Sequence, residues 1–144
     1  MNANEVLATL AERESGLEIN PNDHVNFGQS SNDVIPTAIH VSAAIEVSEN
    51  LLPALEHLED SIRNKAEEVE DYCKTGRTHL MDAMPIRMDQ SLLSWAEQVK
   101  GAKIGVKDAL EGLKTLGIGG TAVGTGINAH TRFAKVFAQE INNL

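Results

Sequence analysis

The chain has 144 residues, one domain's worth at most, with 42% hydrophobic residues but only 3% aromatics. Its 21 acids and 12 bases leave a net charge of −9, which argues against nucleic acid as a partner and gives no attraction to an anionic membrane surface. The single cysteine, Cys73, allows no internal disulfide and fits a reducing cytoplasm.

The apolar content is carried by Ala, Leu, Ile and Val, a composition that suits helices packed side by side. Four helical patterns are expected, joined by three polar or Gly-rich links. The first runs from about Asn4 to Glu14 and stops at Gly16, which suits a helix C-terminus. Its charges (Glu5, Glu12, Arg13, Glu14), with no apolar run behind them, do not read as a secretory leader. The link that follows, Leu17 to Asp33, is rich in Asn, Asp, Ser and Gly, residues that satisfy backbone groups through turns and caps.

Ser31, Asn32 and Asp33 offer caps for a second helix, with Pro36 expected in its first turn. Two apolar stripes run along that helix. One is Val41, Ile45, Leu52, Leu55, Ile62, Ala66 and Val69; the other is Ile39, Ala43, Val47, Leu51, Ala54 and Leu58. A single neighbour cannot cover both, so the helix should pack on several sides. Pro53 lies inside the pattern and should kink it.

Lys74 to Pro85 forms the second link. A third helix after Pro85 places Leu92, Trp95, Val99, Ala102, Val106, Leu110 and Leu113 on one face. Two helices of roughly thirty residues would each be about 45 Å long, which points to an all-α bundle of long rods. The third link, Gly117 to Gly126, precedes a last helix from about His130 to Asn142.

The links hold the candidate chemistry. The Gly-rich one lacks the Gly-Lys-Ser/Thr ending of a phosphate loop and follows no strand pattern, so a tight connection between helices is the simpler reading. The five histidines show no zinc spacing. His79 differs from the rest, because Arg77, Thr78 and Asp82 stand close in sequence. A guanidinium, a hydroxyl and an imidazole so placed can bind a carboxylate and relay a proton, although a capped loop is the commoner explanation. Asn22, Asp23, Ser30, Ser31, Asn32 and Asp33 read first as cap and turn formers.

Four runs together change the weighting: Met1-Asn2-Ala3-Asn4-Glu5-Val6; Pro21-Asn22-Asp23-His24-Val25-Asn26 with Gln29-Ser30-Ser31-Asn32-Asp33-Val34; Gly76-Arg77-Thr78-His79-Leu80-Met81-Asp82-Ala83; and Gly119-Gly120-Thr121-Ala122-Val123-Gly124-Thr125-Gly126. In this order and spacing they resemble the fumarase/aspartase superfamily, and within it the class II fumarases, with aspartate ammonia-lyases a close second. The resemblance implies a segment (residues 1–144) of the family's central helical domain. It also implies reversible hydration of fumarate to (S)-malate without metal or cofactor, in a cytoplasmic homotetramer that assembles each site from three subunits.

Residue by residue, the resemblance matches Ser30, Ser31, Asn32 and Thr78 to substrate contacts and His79 to the acid–base histidine. Asn20, Pro21, Asn22 and Asp23 match a second dicarboxylate site, which in the family begins with histidine, so Asn20 forfeits an imidazole contact. The family's N- and C-terminal domains, the substrate contacts before Met1, the mobile loop with its serine base, and the histidine's acidic partner are not among these residues. The expectation is therefore a segment inactive by itself and prone to self-association. Two other readings compete: a segment of an aspartate ammonia-lyase, and a non-catalytic helical assembly module.

Overall fold

The computed structural model describes residues 2–143. Met1, the first residue of the Met1–Val6 run, and Leu144 lie outside the described residues. Among the described residues there are five α-helices: α1 (Asn2–Ser15), α2 (Ser31–Glu46), α3 (Leu52–Glu68), α4 (Met88–Leu113) and α5 (Phe133–Ile141). A two-stranded antiparallel sheet joins α3 to α4, with β1 at Cys73–Thr78 and β2 at Met81–Arg87. The long-helix architecture expected from the composition is present. Among the described residues no helix is long and apolar enough to cross a membrane.

The chain forms two compact units. One takes in the residues up to His40 together with those from Leu116 onward; the other is Val41–Thr115.

In the Val41–Thr115 unit, α3 and α4 pack as an antiparallel pair. The seam positions, all buried or half-buried, are Leu52, Leu55, Glu59, Ile62, Ala66 and, just past its end, Val69 for α3, and Asp89, Leu92, Ala96, Val99, Lys103, Val106, Leu110 and Leu113 for α4, with half-buried Arg63 and Ser91 beside them. Both sets alternate spacings of three and four, the repeat of a coiled-coil seam. The seam passes through Ala96 and Lys103 rather than Trp95 and Ala102, which the sequence pattern favoured. Trp95 is 57% exposed. At Lys103 the cause is electrostatic: its Nζ lies 3.0 Å from the buried Glu59 carboxylate, and Arg63 bridges Glu59 and Glu97 at 2.9 and 2.6 Å. A charged pair inside the seam is invisible to a search for apolar periodicity. Lys103 first, then Arg63, hold the Glu59 carboxyl below the usual carboxylate value.

The two prolines act differently from expectation. Pro36 sits in the second turn of α2, because the helix begins at Ser31. Its ring leaves the Asn32 carbonyl without an i+4 N–H donor. Pro53 lies in the first turn of α3, directly after a π-helical turn, Val47–Leu51, that closes with the Leu52 N–H on the Val47 carbonyl. A wider turn thus stands just before Pro53, in the run where the sequence predicts a kink.

The link Lys74 to Pro85 is a hairpin, not an irregular connection. Cys73 pairs with Arg87, Lys74 with Ile86, Thr75 with Pro85, Arg77 with Asp82 and Thr78 with Met81, with a bulge between Thr75 and Arg77. Gly76 sits at the bulge, where a Cβ would lie 2.6 Å from the Met84 carbonyl oxygen. Several apolar side chains stay uncovered: Leu51 and Leu58 of the second stripe, Ile104 of α4, and Leu80, Met81 and Met84 of the hairpin.

In the other unit, α1 lies against a π-helical turn, Pro21–Val25, and Asn4 Nδ2 donates to Asn26 Oδ1 at 3.2 Å. Glu12 Oε1 accepts from the Ile19 N–H at 2.9 Å, which fastens the chain after α1 to the helix itself. Ala8 and Ile118 are its buried apolar residues, and Ile39, of the second stripe, is 61% exposed.

Candidate functional site

The first set of candidate residues stands where α2 begins. Ser30 is its N-cap: Ser30 Oγ accepts from the Asn32 N–H at 3.2 Å, while Asp33 Oδ1 accepts from the Ser30 N–H at 2.8 Å. This reciprocal pair is a capping box with Asp at the third helical position. It fixes Ser30, Ser31 and Asn32 at the positive end of a 16-residue helix, where backbone N–H groups and the macrodipole favour an anion.

The Gly-rich segment comes to the same place. Asp33 is 2% exposed, and its second oxygen, Oδ2, accepts from the N–H of Gly119 at 3.1 Å and of Thr121 at 2.8 Å. Asn32 Nδ2 donates to the Ala122 carbonyl at 2.8 Å. Two N–H groups two residues apart, converging on one anionic oxygen, form the concavity that elsewhere takes phosphate. Here the chain's own carboxylate fills it. That gives the physical reason the glycines do not make a phosphate loop.

The segment is held from its other side as well. Gly119 has φ +90°, and a Cβ there would lie 2.6 Å from the Ala134 Cβ in the first turn of α5. Thr121 is held at φ 58°, unusual for a β-branched residue. Beside this junction lies an open cavity of about 520 Å³ whose walls include Asn22, Gln29, Ser30, Thr121 and Asn128. The lining is amide- and hydroxyl-rich and carries no cationic side chain.

Asn20, Pro21, Asn22 and Asp23 form a self-contained turn. Asn20 Oδ1 accepts from the N–H groups of Asn22 and Asp23 at 2.8 and 3.0 Å, and its own N–H donates to His24 Nδ1 at 2.9 Å. The two backbone donors matched to a second dicarboxylate are thus engaged by Asn20. An anion binding there would have to displace that amide oxygen.

Thr78 and His79 belong to the Val41–Thr115 unit, at the tip of the hairpin. His79 and Leu80 occupy the two central turn positions with φ 49° and 61°, the signs of a type I′ turn. Both Thr78 and His79 are exposed. The turn thus presents the hydroxyl and imidazole on a two-stranded support rather than on a loose loop.

Reading from residue types singled out only His79 with Arg77 and Thr78 and left Ser30–Asp33 as cap and turn formers; the family resemblance added Ser30–Asn32 as expected substrate contacts and assigned Asp33 nothing further. The spacing Ser30-x-x-Asp33 signalled the capping box. No sequence signal showed that the second carboxylate oxygen would serve a segment 86 residues away.

Comparison with known proteins gives the family. A lyase family profile matches residues 1–144. The chain is 65% identical over its whole length to fumarate hydratase class II 2 of Pseudomonas aeruginosa, covering 31% of that protein, and 49% identical to fumarate hydratase class II of Saccharolobus solfataricus, covering 33%. A crystal structure of class II fumarase from Schistosoma mansoni superposes with a TM-score of 0.87 at 38% identity, over 99% of this chain and 32% of that one. The chain therefore spans about a third of the length of the relatives it matches. With the family profile matching residues 1–144, the chain belongs to the lyase family and is similar within it to the class II fumarate hydratases.

Proposed function

We propose that this chain carries part of the fumarate/malate site of a class II fumarate hydratase and is a segment of that enzyme's central helical domain. The observation that carries the reading is the 65% identity to a fumarate hydratase, together with a Ser-Ser-Asn run fixed at a helix N-terminus. Adding water across the double bond of a dicarboxylate passes through a carbanion beside a carboxylate. Fixed donors must hold the charge that develops there.

In this reading Ser30, Ser31 and Asn32 bind one end of the dicarboxylate with hydroxyl, amide and backbone donors. Thr78 contributes a hydroxyl to a carboxylate, and His79 handles the proton at the hydroxyl-bearing carbon, directly or through a water. Asn20 to Asp23 would bind a second dicarboxylate. The parts expected from the family beyond these residues supply the base and the cationic contacts. The 144 residues alone should therefore give no detectable turnover, since losing several members of a coupled constellation costs many powers of ten.

The uncovered Leu51, Leu58, Trp95 and Ile104 support burial against further copies, in the family's case a homotetramer. The test is an assay of the full-length lyase carrying this segment, with malate and with aspartate. Malate turnover that His79→Asn lowers by about a hundredfold or more, at unchanged helical content, is the expected result. Ammonia release from aspartate without malate turnover would sink the assignment, and an unchanged rate in His79→Asn would remove that residue from the mechanism.

A further inference from the structure

We infer that Asp33 is a positioning residue: its two carboxylate oxygens lock the Ser30–Asn32 run and the Gly119–Thr121 segment into one rigid piece, and so set the geometry of the substrate donors.

Asp33 Oδ1 takes the Ser30 N–H, and Oδ2 takes those of Gly119 and Thr121, so a single buried side chain accepts three backbone donors from two segments far apart in sequence. The direct strut from Asn32 Nδ2 to the Ala122 carbonyl crosses the same junction and uses one of the donors of the residue proposed to touch substrate. The partner segment carries its own mark of constraint. Thr121 stays at positive φ, a conformation that persists where surrounding bonds over-determine it, and its N–H is one of the two given to Asp33. Gly119 is pressed between that carboxylate and Ala134 of α5. A shift of the glycine segment would therefore turn the Asn32 amide and loosen the Ser30 cap together. This is how a residue that does not itself face the cavity would control one that does.

The capping and locking roles separate chemically. Asp33→Glu keeps a carboxylate at the third helical position, where Glu serves a capping box well. The added methylene moves the second oxygen away from Gly119 and Thr121. A residue that merely caps α2 would tolerate Glu, whereas one that locks two segments would not.

The assignment rests on the fumarase reading only for its catalytic consequence, so the experiment has two arms. In the 144-residue chain, amide hydrogen exchange by NMR should show Gly119 and Thr121 exchanging about tenfold faster or more in Asp33→Glu, with the α4 amide of Leu110 unchanged. Unchanged protection at Gly119 and Thr121 would overturn the lock. If the variant does not fold, trans-hydrogen-bond scalar couplings from the Gly119 and Thr121 nitrogens to Asp33 Cγ in the unsubstituted chain decide the same point, and their absence overturns it. In the full-length lyase, Asp33→Glu should lower kcat for fumarate by about tenfold or more with a smaller change in KM, since misplaced donors fail chiefly in the transition state. Unchanged kcat alongside lost protection would confine the lock to stability and overturn its positioning role. No malate from the unsubstituted enzyme would count against the fumarase reading instead, and the exchange arm would then stand by itself.

Discussion

The two units are stabilised by opposite means, and the contrast shows what each is built for. The Val41–Thr115 unit is a two-helix seam of regular repeat, closed by a hairpin, with charge placed where a Leu would ordinarily sit. The unit holding Ser30–Asp33 and Gly117–Gly126 is organised around hydrogen bonds from backbone N–H groups to Asp33. Regular helix packing tolerates substitution if volume and pattern are kept. A segment held by directional bonds and positive φ does not. The proposed substrate donors Ser30 to Asn32 lie in the unforgiving unit. Thr78 and His79 stand on a hairpin whose register is fixed by its turn and bulge.

That contrast can be broken at named positions. The largest expected effect is at Gly119. Gly119→Ala adds a methyl group 2.6 Å from the Ala134 Cβ at a φ of +90°, so overpacking and backbone strain act together and should cost about 3 kcal/mol. Urea denaturation monitored residue by residue should show the loss in the Ser30–Asp33 unit first. Uniform loss across both units would mean they are not energetically distinct. Gly76→Ala is the counterpart in the Val41–Thr115 unit. Its methyl meets the Met84 carbonyl oxygen at 2.6 Å, which should open the bulge at a cost of roughly 2 kcal/mol. Loss of the cross-strand NOE between Thr75 and Pro85 is the measurement.

The seam gives a pH test. Glu59 is held below its ordinary value of 4.5 in the folded state, by Lys103 first and Arg63 second. Its contribution is therefore complete above about pH 4.5 and disappears as pH falls through the lower folded value. Lys103 is raised above 10.5, so its share is complete below that value and is lost as pH rises past it. Thermal melts should show stability falling on the acid side of pH 4.5, and Glu59→Gln should flatten that limb. A limb as steep in the variant would assign it to other carboxylates. The smallest effect is expected at Leu80, which is 101% exposed and holds φ 61°. Leu80→Gly relieves that strain and buries nothing less, so it should raise the melting temperature slightly, by about 0.5–1 kcal/mol in stability. A destabilised Leu80→Gly would show that the leucine packs on something in solution.

Much of the fold was legible along the chain because helices are local. Gly16 marked the end of α1, the apolar repeat marked α3 and α4, and Ser31 to Asp33 marked the start of α2. The hairpin was not legible. Its strands carry Lys74, Thr75, Arg77, Asp82 and Pro85, a run that reads as a link until the turn at His79–Leu80 and the bulge at Gly76 pair it with itself. The seam was misread at Trp95 and Ala102 for a related reason. Apolar periodicity cannot register Lys103 as interior, because its burial depends on Glu59, a residue 44 positions away.

The candidate site divides in the same way. Residue types alone drew attention to Arg77, Thr78 and His79, since hydroxyl and imidazole chemistry is a property of the side chain itself; Ser30, Ser31 and Asn32 read as caps and entered as expected substrate contacts only through the order of the family motifs. What tertiary structure alone decided is where the remaining hydrogen bonds go: Asp33 Oδ2 to Gly119 and Thr121, and Asn32 Nδ2 to Ala122. Hydrogen bonds need their partners within about 3 Å and correctly aimed. For the long-range bonds of Asp33 and Asn32, chemistry can be written into a sequence one residue at a time, but their alignment exists only once the chain has folded.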